Sequence, residues 1–225
     1  MTLPFYDERA KPFVCKTQRF SPHMSDILMK QINQMLDDGI LRFSTSEFCA
    51  RIVPVLKPDG SWRICLDFRG VNMLLRKNRG GLGDIMGVTD RMKGSNWFSS
   101  IDLASAFFQL ELAEEDKHKT AFRDPTGRLL AFNVASFGLT TIPAVFSANL
   151  RQDLRVLLGH GVETWLDDIV LYTKTYDEHI ALLRKVLLTL IARNYTRHSQ
   201  RLLYRPHRER PVSYTHLTLP TILLV

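Results

Sequence analysis

Three carboxylates end strand-like runs in this sequence, and they are the residues whose type and spacing point most directly to chemistry. Asp167 and Asp168 lie between Trp165-Leu166 and the apolar stretch Ile169–Leu171, and Asp102 closes the short apolar run that begins at Trp97. An isolated Asp pair is first of all a good turn. With a third carboxylate at the end of another strand it also becomes a cation site. Carboxylates aligned on neighbouring strands hold two divalent ions about 3.5–4 Å apart, the arrangement used for in-line phosphoryl displacement. Successive strand residues face opposite sides, so Asp167 and Asp168 are equal ligands only if a turn re-aims one of them. Asp102 and Asp167 are therefore expected to be the primary metal ligands and Asp168 to support them.

The elements that must position these residues are legible as local patterns. Ser21 as cap, Pro22 at the first helical position and Gly39 as stop bound a helix whose Ile27, Leu28, Gln31, Ile32, Met35 and Leu36 recur at helical spacing. Runs 51–57 and 61–68 flank Pro58-Asp59-Gly60 and read as a β-hairpin. Segment 76–96 holds five of the twelve glycines and reads as an irregular connection. Residues 97–103 form a strand, and 121–123 and 129–134 form two more around the turn 124–127. A helix is predicted from about Pro143 to Gly159, a strand–Asp-Asp turn–strand unit over 162–173, and an amphipathic helix over about 177–193. Helices interspersed with antiparallel strands place the chain in the α+β class.

Composition narrows the partners. The 225 residues carry a formal charge of +7 and 45% hydrophobic residues, ordinary globular values that are compatible with a polyanionic partner. No apolar run approaches the roughly 18–20 residues that span a bilayer, and the first residues lack the order of a secretory signal. A non-secreted, membrane-free protein is therefore expected. Cys15, Cys49 and Cys65 are odd in number and widely spaced, which excludes a disulfide framework or a cysteine zinc site and fits a reducing compartment.

Five blocks, in order, carry a family resemblance: GILRFSTSEF (39–48), LKPDGSWRICLDFRGVN (56–72), WFSSIDLASAFFQLELAEEDKHKTAF (97–122), FGLTTIPAVF (137–146) and WLDDIVLYTKTYDEH (165–179). The chain resembles the reverse transcriptase, an RNA-directed DNA polymerase, of gypsy-type LTR retrotransposon Pol polyproteins. The match covers most of residues 20–195. The resemblance implies the fingers and palm of a right-hand polymerase, an antiparallel palm sheet backed by helices, with no recognisable thumb. It implies Asp102, Asp167 and Asp168 as catalytic, and Mg²⁺, with Mn²⁺ as an alternative, as the cofactor. The implied partners are a primed RNA or DNA template and deoxynucleoside triphosphates. Lys57 and Arg63 match the tip of the fingers hairpin and are implied to reach the triphosphate. Phe107 matches the aromatic that backs the deoxyribose and blocks a 2′-hydroxyl, and Phe137-Gly138 matches the loop beside the nucleotide. Ser136 and Thr141 stand where the family usually has Pro and Asn. Asn78–Gly83 replaces the family's usual segment between the two halves.

The expected organisation is an extended segment over 1–19, the fingers-palm domain over 20–195, and an atypical tail over 196–225: a basic run with little core-forming power, then the uncharged end PVSYTHLTLPTILLV (211–225), which reads as a frayed or foreign terminus. The expected location is intracellular, in a cytoplasmic particle or the nucleus. The competing reading is a truncated, non-catalytic retroelement relic that binds nucleic acid weakly at most. Oligomeric state is not legible.

Overall fold

The computed structural model describes residues 1–7, 9–16, 18–76, 85–103, 106–165, 168–193, 195 and 201–206, with Ile85, Met86 and 201–206 described by backbone alone. In chain order these form α1 (Pro22–Asp37), β1 (Leu41–Phe43), β2 (Arg51–Leu56), β3 (Trp62–Asp67), α2 (Arg69–Leu74), α3 (Ile85–Arg91) and β4 (Trp97–Asp102). A 3₁₀ turn at Ala106–Gln109 follows, then α4 (Glu114–Lys117), β5 (Phe122–Arg123), β6 (Leu129–Phe132), α5 (Ile142–Asp153), β7 (Val162–Trp165), β8 (Asp168–Thr173), α6 (Tyr176–Ala192) and β9 (Arg201–Pro206). The chain divides into two units, Met1–Arg79 with Phe107–Ile142, and Gly80–Ala106 with Pro143–Val225.

In the first unit α1 starts where the cap residue requires it. The Ser21 hydroxyl accepts the Met24 amide at 3.3 Å, and Leu28 and Ile32 are fully buried one turn apart. The β2–β3 hairpin pairs Arg51 with Asp67 through to Leu56 with Trp62. A three-stranded antiparallel sheet runs β1–β6–β5. Ile52 and Phe68 of the hairpin region, Phe122 and Leu130 of that sheet, and Leu3 and Phe5 of the N-terminal segment share one core with Leu28 and Ile32.

The second unit is built on an antiparallel sheet of order β7–β8–β4–β9. Its two faces differ, as period-2 alternation dictates. Val162, Ile169, Leu171 and Ile101 are completely buried on one face. On that same face His179 of α6 bridges two strands: its Nε2 lies 2.8 Å from Ser99 Oγ and its Nδ1 3.0 Å from Thr173 Oγ1. The Thr173 hydroxyl donates to the Thr175 carbonyl at 3.0 Å, so Nδ1–H must donate to Thr173 and Nε2 must accept from Ser99. α6 itself opens with a capping box, Thr175 accepting from the Glu178 amide and Glu178 accepting from the Thr175 amide.

Three expectations change. The glycine-containing stretch 76–96 is not irregular throughout, because α3 forms within it. Its Arg91 Nε donates to Glu163 Oε1 at 2.6 Å, a carboxylate only 5% exposed on β7, a long-range anchor that a local pattern does not reveal. α5 ends at Asp153 rather than running to Gly159, and the chain continues in turns through Leu154–His160. Residues 201–206, expected as a basic run with little core-forming power, form a strand, pairing antiparallel with β4 from Asp102 opposite Arg201 to Trp97 opposite Pro206. The rest of the expected tail, 196–200 and 207–225, and the segment 78–83 lie outside the described residues.

Burial pushes the His179 imidazole below its ordinary value of 6.5. As pH falls the unfolded chain takes up this proton first. The stability contributed by neutral His179 is therefore complete above about pH 6.5, declines below it, and levels off once the folded imidazole titrates. Thermal melts at about pH 7.5 and about pH 5.5 are expected to show a loss of stability that His179→Asn largely removes. An equal loss in wild type and variant would assign the effect to other groups.

Candidate nucleotide and metal sites

The register of β4 with β8 places Asp102 directly opposite Asp168 at the end of both strands. Cross-strand partners share a face, with Cβ atoms about 4.5–5.5 Å apart. The same row continues through Trp165 on β7. The carboxylates therefore lie on the face opposite the one covered by α6, and both residues are partly exposed. Like charges directly opposite one another destabilise a sheet unless a positive charge compensates them. Paired carboxylate oxygens are also the hard donors that suit Mg²⁺ or Mn²⁺. Asp167, expected as a primary ligand, lies outside the described residues. Among the described residues no group of three or more His, Cys, Asp and Glu side chains is gathered closely enough to hold a metal ion.

In the first unit three of the expected nucleotide-side residues come together. Phe107, in the 3₁₀ turn, and Phe137 have ring centroids 5.1 Å apart, tilted by 59°. The guanidinium carbon of Arg63 sits 5.4 Å from the centroid of the same Phe137 ring, a cation–π arrangement. Phe108, next to Phe107, meets Phe137 edge-on at 5.7 Å and stacks on Phe132 at 6.1 Å. Both Phe107 and Phe108 are partly buried and pack against the core.

Lys57 belongs to the same face of the hairpin as Arg63. Val55 pairs with Arg63, and two residues on, the Lys57 amide donates to the Ser61 carbonyl at 2.8 Å. The turn between them is fixed by Gly60 at φ +79 and by Asp59, which accepts from the Ser61 amide at 2.9 Å and the Ser61 hydroxyl at 2.6 Å. Those bonds hold the Asp59 carboxyl below its usual range. At the base of the hairpin the Arg69 guanidinium grips Asp67 with two bonds and lowers its pKa to about 2.

Gly138 adopts φ +99, and a Cβ there would lie 3.1 Å from the Leu66 carbonyl oxygen, so the turn after Phe137 demands glycine. Asn72 of α2 holds this turn: its Nδ2 donates to the Gly138 carbonyl at 2.7 Å and its Oδ1 accepts the Thr140 amide at 3.0 Å. No sequence pattern marked Asn72 for this role. It closes the LDFRGVN block, and only the long-range fold brings it to residue 138. On either side of the turn the Ser136 and Thr141 hydroxyls are buried, with no hydrogen-bond partner among the described residues. These are the two positions at which the sequence departs from the Pro and Asn usual in the resembled family.

Helix-backed antiparallel sheets carrying end-of-strand carboxylates, with a separate hairpin unit, define the fingers and palm of a right-hand polymerase. A foamy viral protease-reverse transcriptase, solved in complex with an RNA/DNA hybrid, superposes with a TM-score of 0.74 at 26% identity, covering 83% of this chain and 25% of that one. The reverse transcriptase (RNA-dependent DNA polymerase) family model matches residues 55–200. The chain belongs to the reverse transcriptase family. It is 31% identical over 188 residues to the retrovirus-related Pol polyprotein from transposon opus of Drosophila melanogaster, covering 81% of this chain and 19% of the polyprotein. The transposon Tf2-3 polyprotein of Schizosaccharomyces pombe is 30% identical over 169 residues, 75% of this chain and 13% of that polyprotein. The chain thus spans about a fifth or less of these relatives' length.

A buried hydroxyl without a partner costs about 1–3 kcal/mol relative to an apolar group of the same shape. Thr141→Val is therefore expected to raise stability by about 1 kcal/mol in denaturant melts. A lower midpoint would show that the hydroxyl is satisfied.

Proposed function

We propose that this chain is the fingers-and-palm part of a retroelement RNA-directed DNA polymerase, transferring deoxynucleotides to a primer 3′-hydroxyl on an RNA or DNA template. The observation that carries this reading is the pairing of Asp102 with Asp168 at the end of two adjacent strands, on the sheet face opposite α6. Asp102 and Asp167 hold divalent cations with Asp168 in support, and their oxygen donors suit Mg²⁺ or Mn²⁺. When bound, the two ions activate the attacking hydroxyl and neutralise the triphosphate and the departing pyrophosphate.

The remaining work falls to side chains of the first unit. Lys57 and Arg63 bind the triphosphate, Arg63 through its planar fork. Its position over Phe137 fixes where that fork starts. Phe107 backs the deoxyribose and leaves no room for a 2′-hydroxyl, and Phe137-Gly138 lines the nucleotide. Backbone phosphates of the primed template supply much of the affinity, in keeping with the charge of +7. The free cysteines Cys15, Cys49 and Cys65 fit a reducing setting, a cytoplasmic particle or the nucleus.

Primer extension on a primed RNA template with Mg²⁺ tests the reading. Asp102→Asn and Asp167→Asn are each expected to reduce extension to background while leaving the folded state intact by circular dichroism. Full activity in either variant would end the cation-site assignment, and no extension by the wild-type chain at any concentration would favour the non-catalytic relic. Phe107→Val is expected to raise ribonucleotide relative to deoxynucleotide incorporation by about tenfold or more. An unchanged ratio would return Phe107 to the core.

A further inference from the structure

We propose that Asn72 is a positioning residue for sugar selection, acting on the nucleotide site through Phe137. The inference rests on the role proposed above for Phe107. Its own basis is a chain of contacts within one unit. The Asn72 carboxamide uses both ends on one turn, donating to the Gly138 carbonyl at 2.7 Å and accepting the Thr140 amide at 3.0 Å, with the Thr140 hydroxyl at 3.4 Å. That turn carries Phe137, and Phe137 is the ring against which Phe107 leans at 5.1 Å and over which Arg63 sits at 5.4 Å. Leu139 seats the turn in the core, and the Asn72 carboxamide supplies the side-chain hydrogen bonds that fix its backbone. Gly138 takes φ +99 close against the Leu66 carbonyl and the Phe68 ring, and among the described residues the flanking Ser136 and Thr141 hydroxyls make no hydrogen bond.

The carboxamide therefore acts as a strut. α2, which presents it, is anchored on the core through buried Gly70 and Val71. The base of the hairpin adds a second anchor through the Asp67–Arg69 pair. If the strut is removed, the Gly138 carbonyl and the Thr140 amide turn to water and the Phe137 ring loses its fixed seat. Phe107 then loses the surface that keeps it against the sugar. The consequence is specific: a ribose is admitted where only deoxyribose was, while any loosening of Arg63 over the displaced Phe137 ring acts on dGTP and GTP alike.

The test is equilibrium binding of dGTP and GTP, with Mg²⁺, to the whole chain and its variants, together with thermal melts. Asn72→Ala is expected to reduce the dGTP/GTP affinity ratio by about tenfold, mainly through tighter GTP binding, as Phe107→Val does. Asn72→Asp keeps the acceptor for the Thr140 amide but loses the donor to Gly138. It is expected to shift the ratio in the same direction, and it provides a reading should the alanine variant fail to fold. Thr140→Ala spares the amide bond and is expected to leave the ratio unchanged. If Phe107→Val abolishes discrimination and both Asn72 variants keep the wild-type ratio, the positioning role is overturned and the nucleotide site stands. If Phe107→Val leaves the ratio unchanged, or the wild-type chain shows no preference, the nucleotide-site reading falls and the Asn72 role with it.

Discussion

The antiparallel register of β4 with β8 is the constraint on which the rest of the second unit depends. It sets Asp102 opposite Asp168, Ser100 opposite Val170 and Phe98 opposite Tyr172 on one face, and Ile101 opposite Ile169 and Ser99 opposite Leu171 on the other. A slip of one residue would carry Asp102 out of the row it shares with Asp168 and Trp165, and would turn strand residues to the wrong face. The buried side prevents this. Ile101, Ile169 and Leu171 are each fully excluded from solvent, and His179 ties Ser99 and Thr173 to α6 with both ring nitrogens. The carboxylate-bearing face is thus positioned by what the buried reverse requires. The Arg91–Glu163 pair, two residues before Trp165 on β7, adds a tie on the carboxylate-bearing face.

The first unit follows the same logic with different materials. A hairpin with a fixed turn presents Lys57 and Arg63, and a glycine turn clamped by Asn72 presents Phe137 to Phe107. In both units the side chains proposed to meet ligand come from the ends of elements, while their supports lie one residue or one turn back in the core. Sites built this way hold geometry because the supporting rotamers are fixed by packing. The two orphaned hydroxyls beside the Phe137 turn are the exception. They flank a turn seated in the core by Ala135, Leu139 and Ile142, whose backbone the Asn72 carboxamide ties to α2.

Much of this was legible in the sequence wherever the signal was local. Ser21-Pro22 named the start of α1, Pro58-Asp59-Gly60 named the hairpin, and alternation around Asp167-Asp168 named the β7–β8 unit. The family resemblance, carried by five ordered blocks, agrees with the family match and the fold. What was missed depends on distant partners. α3 lies in a glycine-containing stretch and is secured by Arg91 reaching Glu163, 72 residues away. β9 is a strand because β4 offers it an edge, not because of its own basic composition. Asn72 carried no local signal, since its bonds go to residues 66 and 68 positions further along the chain.

The central claim is that the Asp102–Asp168 row, with Asp167, is a divalent-cation site. Its most direct test is electron paramagnetic resonance of Mn²⁺ titrated into the chain with and without a deoxynucleoside triphosphate. The account expects bound Mn²⁺ in the wild type, increased by the triphosphate and lost in Asp102→Asn. Binding of the same stoichiometry and affinity in Asp102→Asn, or none in the wild type even with the triphosphate, would contradict it.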